Sequence, residues 1–382
     1  MNKIYLFTAA FAVMATQSGC SDTELASIDT AQEKTPIGFH TVGSQMGSRA
    51  TSINTSNLTD YSFNVYAFTR KDNGSDDVLF MGTKDTGLGN GGFKISHDGA
   101  KWGYDDPNNL KYWPTNALNF YAVSPVPKSD ADPIFYHWQI SQTEKKISYF
   151  SSDEYGSQSQ PYIDVMYAIA TNQSKSNNGG KVQLKFRHIT SQIVFKAKKQ
   201  LANMNVEIKS IKLHNLETSG VFKIPTNDTP KQSDWTPQSI TYKCELTVIK
   251  DATKITIATD ATDISSSKPM FLIPQKLTAW DTSHNKDEAD TKNQSYLSIE
   301  CKIKIGDFYK LGSDAADGYG TLYVPFSANW EPGKRYVYTL IFGGGYDADG
   351  NTILQPINFD ASVGEWVEDA TPSNDIPLYQ QQ

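Results

Sequence analysis

The sequence predicts an all-β protein, and three observations lead there. Aromatic residues make up 12% of the chain, with 20 Tyr and 18 Phe, a composition that suits pleated, half-buried surfaces. Thr, Ser, Asn and Gly punctuate short apolar runs throughout, as turn residues do between strands. Several runs alternate with period two, among them Val206-Glu207-Ile208-Lys209-Ser210-Ile211-Lys212-Leu213, the spacing of a strand with one wet face. At 382 residues and 38% hydrophobic content the chain has enough apolar surface for two ordinary domains with real cores. The formal net charge of −7 comes with no basic patch to neutralise phosphates, so nucleic acid is not an expected partner. Ordinary solubility accounts for the acidity.

The first element is not part of the fold. Lys3 supplies a positive start, Ile4 to Ala15 an apolar core too short to span a bilayer, and Gly19-Cys20 closes the segment. A cysteine after a small residue at that place reads as a bacterial lipoprotein signal over residues 1–20, although Gln17 stands where Leu is usual. Lipidation of Cys20 would hold the precursor at a membrane. Ser21-Asp22-Thr23-Glu24 resembles the surface-export signal of lipoproteins in anaerobic Gram-negative bacteria, and residues 21–35 read as a flexible stalk.

Two strand-like pieces follow. Ile37 to Val42 places Ile37 and Phe39 on one face, and Tyr61 to Phe68 alternates Phe63, Val65 and Ala67 with larger or polar groups, as a half-buried strand does. The tether between them, Gly43 to Ser52 with Arg49 inside it, has too few apolar groups to bury, so the expectation is an extended segment open to a protease. Cleavage after Arg49 by a trypsin-like enzyme would free the first strand. Arg70-Lys71 is the rival basic site, but a cut there severs the second strand.

Further along, Asn73-Gly74 marks a turn, and Val78-Leu79-Phe80-Met81 reads as a buried strand. The Gly-rich segment Gly87 to Gly92 lacks the Lys-Ser or Lys-Thr and the following helix of a phosphate cradle, so it reads as a loop. Trp113-Pro114 sits a few residues before the strand Leu118-Asn119-Phe120-Tyr121-Ala122, with Trp113 expected as an apolar plug. After Asp164-Val165-Met166-Tyr167-Ala168, the polar run Thr171 to Gly180 reads as a boundary loop. Val182, Leu184 and Phe186 then alternate with Gln183, Lys185 and Arg187, and His188 follows. Met270 to Gln275, Tyr323 to Phe326, and Trp330 to Phe342 complete the set, the last expected to be a central strand buried on both sides. Asp347-Ala348-Asp349-Gly350 starts like a calcium loop, but Asn358 occupies the place of the terminal Glu, leaving a hairpin turn as the reading.

The Trp113-Pro114 and Phe120-Tyr121-Ala122 pattern, the Asp164-x-x-Tyr167-Ala168 element, the Leu184-x-Phe186-x-His188-x-x-Ser191 strand and the Gly364-Glu365-Trp366 ending together resemble the fimbrillin-like subunits of type V pili. That resemblance implies two tandem transthyretin-like β-sandwich domains, at 50–178 and 179–382, behind a stalk and removable first strand at 21–49. It implies an exported lipoprotein precursor at the outer membrane, cut between Arg49 and Ala50 by a trypsin-like cysteine protease. The displaced strand would carry Ile37 and Phe39. The partners implied are other pilus subunits, joined by β-strand addition into a surface fimbrium for cell adhesion, with a tip, accessory or stalk role. Ile376, Leu378 and Tyr379 are the apolar residues of the tail that a donor strand would use.

Two rival classes remain to be weighed. A surface glycan-binding lipoprotein would use exposed aromatics such as Trp138 or Trp280. An enzyme finds little footing, because there is no Gly-x-Ser-x-Gly elbow, no paired-His motif and no Cys-His neighbourhood, and no cofactor is expected. His188, with no ligand-spaced partner, reads as a hydrogen-bonded structural residue. Cys244 and Cys301 each lie in alternating runs. A disulfide and two separate buried thiols fit that pattern equally.

Overall fold

In a computed structural model of the chain, the residues that can be described are 34–42, 53, 57–83, 91–126, 136–151, 163–227, 229–238, 244–249, 255–265, 270–343, 345–354, 358–365 and 376–377. Cys20, Arg49 and Ala50 lie outside them, as do Leu378 and Tyr379. The fold is built from β-strands, with one short α-helix, Lys286–Thr291, among the described residues.

The N-terminal half is organised on one antiparallel sheet. Its strands run in the order Arg187–His188, Met166–Gln173, Leu118–Ser124, Phe63–Arg70, Phe93–His97 and Trp102–Tyr104, with Asp76–Met81 also pairing to Phe63–Arg70. The pleat sends alternate side chains to opposite faces, and here both faces are covered. Phe63, Val65, Ala67, Phe120, Ala122, Met166 and Ala168 meet Ile37, Phe39, Val182, Leu184 and Phe186 on one side. Tyr66, Phe68, Tyr121, Val123 and Tyr167 meet a second sheet on the other. That sheet has the order Trp235–Pro237, Ser219–Lys223, Lys145–Phe150 and Tyr136–Ile140.

The Phe63–Arg70 strand is therefore buried on both faces rather than half-buried, because Tyr66 and Phe68 find a second layer that the sequence pattern did not disclose. Asp76–Met81 departs in the opposite sense. Among the described residues it pairs only with Phe63–Arg70, through two register shifts, and Val78 is 62% exposed. Only Val78 is left to water, while Leu79 and Phe80 pack partly buried against the two cores.

The C-terminal half pairs two sheets across one core. The first has Ser191–Lys199 parallel to Lys334–Phe342, which is antiparallel to Asn358–Glu365. In the second, Met204–Leu216 lies between Cys244–Ile249 and Tyr296–Ile305, and Gly320–Pro325 adds to the last. Ile193, Phe195, Ile208, Ile211, Leu213, Leu297, Ile299, Leu322, Trp330, Tyr338 and Leu340 fill the space between. Lys334–Phe342 is central, as expected, but only Tyr336, Tyr338, Leu340 and Phe342 are buried. The other face of that strand is partly open, so a two-layer sandwich replaces the expected burial on both sides.

The chain changes cores after the expected boundary at 178/179. Val182, Leu184 and Phe186 still pack in the N-terminal cluster, and Ile193 is the first residue of the C-terminal one. The chain also returns, since Phe222, Trp235 and Ile273 cover the far face of the N-terminal sheet.

Cys301 is a free buried thiol, and burial pushes its pKa up to about 12. The strands carrying the two cysteines flank Met204–Leu216, but Cys244 stands opposite Leu216 while Cys301 stands opposite Ile208. Eight residues of extended chain span about 26 Å at ~3.3 Å each, far beyond the Cα separation of a disulfide. Asp347 to Asn351 forms the expected hairpin turn, with Gly350 at φ +85° and Asn351 N donating to Asp347 Oδ1 at 2.8 Å.

Candidate functional site: the seat of the first strand

Residues 35–42 make two successive contacts with the rest of the fold. Trp113 N donates to Thr35 O at 3.1 Å and Ile37 N donates to Lys111 O at 2.9 Å, closing an antiparallel bridge. Gly38–Val42 then runs parallel to Lys181–Lys185, in the register Gly38 with Lys181, Phe39 with Val182 and Thr41 with Leu184. Among the described residues these two strands form a sheet of their own. Among the described residues no other strand is hydrogen-bonded to Lys181–Lys185, so its ladder there is with the first strand.

The floor of the seat is aromatic. Ile37 is 1% and Phe39 6% exposed. The Phe39 ring meets Phe63, Tyr104 and Phe120 edge-on at centroid distances of 5.9, 5.9 and 6.3 Å, geometry that adds to plain area burial. Tyr104 Oη donates to Ile37 O at 3.2 Å, and burial holds its own pKa well above the usual phenol value. Trp113 is half-buried, as an apolar plug should be, and its Nε1 donates to Gly180 O at 2.8 Å. Gly180 takes φ +82°, and a Cβ there would lie 3.1 Å from Thr35 Cγ2. The corner leading into Lys181–Lys185 thus needs glycine for conformation and for close approach.

The next described residue is Ile53, which is 2% exposed. Its N–H donates to Asp164 Oδ2 at 2.7 Å, and Asp164 Oδ1 lies 2.7 Å from His188 Nδ1, with all these groups buried. His188 is the structural, hydrogen-bonded residue its surroundings in the sequence suggested. Tyr61 nearby has its pKa raised, by burial first and then by the charges of Asp164 and Asp60. The Arg49–Ala50 bond lies between the two contact points, outside the described residues. Arg70, the rival site, is the last residue of Phe63–Arg70 and its N–H donates to Ala117 O at 3.0 Å.

Ile37 and Phe39 were legible as one face of a strand. Ile53, Asp164, Lys111 and Tyr104 were not assigned to the site. The available signal was Asp164, a carboxylate placed between Ile163 and Val165 in a run otherwise fit for a core.

The aromatics proposed for a sugar platform are in the interior. Trp138 and Trp280 are each 2% exposed, with Nε1 of Trp138 donating to Tyr66 Oη and Nε1 of Trp280 to His284 O, both at 3.0 Å. Neither ring offers a face to a ligand. Among the described residues no three His, Cys, Asp or Glu side chains cluster to hold a metal ion, and no helix is long and apolar enough to cross a membrane. At the C-terminus, Ile376–Pro377 pairs antiparallel with Asp360 and Ala361 of the chain's own sheet.

A family model described as fimbrillin-like matches residues 48–366. A fimbrial protein from Bacteroides vulgatus shares the fold at TM-score 0.55 and 18% identity, covering 87% of this chain and 99% of that one. A cell adhesion protein from Bacteroides ovatus aligns at TM-score 0.44 and 16% identity over 88% and 99% of the two chains. The tip fimbrial protein Mfa3 from Porphyromonas gingivalis, with a C-terminal truncation, aligns at 0.40 and 9% over 87% and 100%. No curated protein matches the chain.

Proposed function

The chain belongs to the fimbrillin-like family, and from that premise we propose that it is a structural subunit of a cell-surface fimbrium, active in adhesion rather than catalysis. The precursor is exported and held at the outer membrane through lipid on Cys20. A trypsin-like protease cuts between Arg49 and Ala50, the strand carrying Ile37 and Phe39 leaves, and a strand of another subunit takes the seat beside Lys181–Lys185.

The observation that carries this reading is that the chain is attached on both sides of the proposed cut, at Gly38–Val42 before it and at Ile53 after it. Upstream lies a strand held by one short ladder and two large apolar side chains, worth about 1.5–3 kcal/mol each when fully buried. Downstream lies Ile53, fixed to Asp164. While the tether is intact the first strand competes at high effective concentration and keeps the seat filled. Once cut, it competes as a separate peptide, and an incoming strand of similar apolar content replaces it. An empty seat would expose unpaired backbone and an aromatic floor, which drives strand addition.

The burial of Trp138 and Trp280 removes the basis on which a glycan platform was first considered. Limited trypsin digestion of the folded precursor, N-terminal sequencing and size-exclusion chromatography test the proposal together. The expected result is a new N-terminus at Ala50 and a shift to higher mass. A cut at Arg70 with Arg49 intact, or a monomer that persists after cleavage at Arg49 and removal of the fragment, would overturn it.

A further inference from the structure

On the outer face of the C-terminal sheet, the residues that alternate with the core positions of Met204–Leu216, Tyr296–Ile305 and Gly320–Pro325 form a trough of about 310 Å³. Its floor is made of small hydroxyl side chains, Ser210, Ser298 and Thr321, and its walls of large ones. We propose that this trough is a saccharide-binding site, sized for one or two sugar rings. The inference deepens the adhesive part of the proposed function by naming a class of target.

The walls are held in place. At one end His214 stacks on Tyr296 at 4.5 Å with an interplanar angle of 13°, and its Nε2 lies 2.7 Å from Ser298 Oγ. Tyr296 Oη donates to Asp290 Oδ1 at 2.8 Å, and Lys286 Nζ donates to Asp290 Oδ2 at 3.0 Å. Behind them the buried Trp280 packs edge-on against Tyr296 and Tyr323, at 5.8 and 6.4 Å. At the other end Glu300 accepts from Lys209 Nζ at 2.9 Å and from Ser210 Oγ at 3.1 Å. A surface gap between mobile side chains has no such bracing, and walls fixed beforehand lower the ordering cost of binding.

The chemistry matches a sugar better than an apolar ligand or a nucleotide. A ring of hydroxyls needs donors and acceptors in alternation, and the trough offers the ammonium groups of Lys212 and Lys286, the carboxylate of Glu300, and hydroxyls that serve as either. The half-buried Tyr323 presents ring surface for the sugar's C–H face, and the buried Tyr296, stacked by His214, backs that wall. A carboxylate in the lining disfavours phosphate, and the polar floor disfavours a lipid or apolar peptide.

The test is saturation-transfer NMR on the intact, uncut chain with glucose, galactose, N-acetylglucosamine and galacturonic acid, so that strand exchange plays no part in the outcome. At least one sugar should give saturable transfer, with Tyr323→Ala and Lys212→Ala each weakening it about tenfold, the effect of one lost contact of about 1.4 kcal/mol. Lys304→Ala, on the same strand face but outside the trough, should leave it unchanged. Tyr323→Phe, which keeps the ring, guards against a folding defect in Tyr323→Ala and should retain binding. Absence of transfer from all four sugars up to millimolar concentration, or transfer that survives both trough substitutions, would overturn the site while leaving the strand-exchange proposal untouched. Preference for galacturonic acid would assign Lys212 to a carboxylate, and preference for a neutral sugar would assign it to hydroxyls; either supports the site.

Discussion

The backbone N–H of Ile53 donates to Oδ2 of Asp164 at 2.7 Å, across 111 residues of sequence and in the interior of the protein. Asp164 also faces His188 Nδ1, so one carboxylate joins the chain just after the expected cut to the sheet that flanks the seat. Under the proposed cleavage it would hold in place the chain that follows the cut.

Removing that carboxylate should therefore be costly in a graded way. Asp164→Ala strands the buried Ile53 N–H and removes the carboxylate facing His188 Nδ1, at about 1–3 kcal/mol for a buried group left without a partner. Asp164→Asn keeps one acceptor oxygen and should cost less. Denaturant midpoints of the two variants check the order, and hydrogen exchange at Ile53 should quicken in both.

Phe39→Ala removes the ring that meets Phe63, Tyr104 and Phe120. Phe→Ala changes in cores cost about 3–5 kcal/mol, and here the loss falls on a strand held at one edge. The expected outcome is detachment of the first strand without global unfolding, seen as oligomers on size-exclusion chromatography of uncut protein. A monomer with unaltered melting would count against Phe39 as the principal anchor.

The all-β class, the Ile37 and Phe39 face, the structural role of His188 and the Asp347–Asn351 hairpin were legible because each depends on local periodicity or on a short turn. What was not legible depends on a second layer. Tyr66 and Phe68 look like the wet side of a strand until Phe222 and Trp235, some 150 residues later, arrive to cover them. Val78 looks like core until its strand is found outside the main path of the sheet. Trp138 and Trp280 had no local signal separating a platform from a plug. Their indole N–H groups, each satisfied by a partner inside the protein, supply the answer.

The hydrogen bonds around Asp290 carry a pH dependence. Burial raises its pKa, but hydrogen bonds from Asn215, Tyr296 and Lys286 outweigh this and hold the carboxyl below the ordinary aspartate value. A depressed folded pKa contributes stability that is present above the unfolded value, near 3.9, and is lost as pH falls through the folded one. Asp290→Asn should therefore be less stable than the natural protein at neutral pH, with the difference shrinking as pH drops below about 3.9. Denaturant titrations at the two pH values measure it, and a difference that stays constant would show that charge at Asp290 is not the cause.

The central claim is that Gly38–Val42 is a removable occupant of the seat beside Lys181–Lys185, and backbone hydrogen exchange in Lys181–Lys185 reads it most directly. In the uncut protein those amides should be protected. After cleavage at Arg49 and removal of the fragment, protection there should fall while that of Phe63–Arg70 persists, and a synthetic peptide of residues 34–42 should restore it. Protection in Lys181–Lys185 that is unchanged once the fragment has gone would contradict the account.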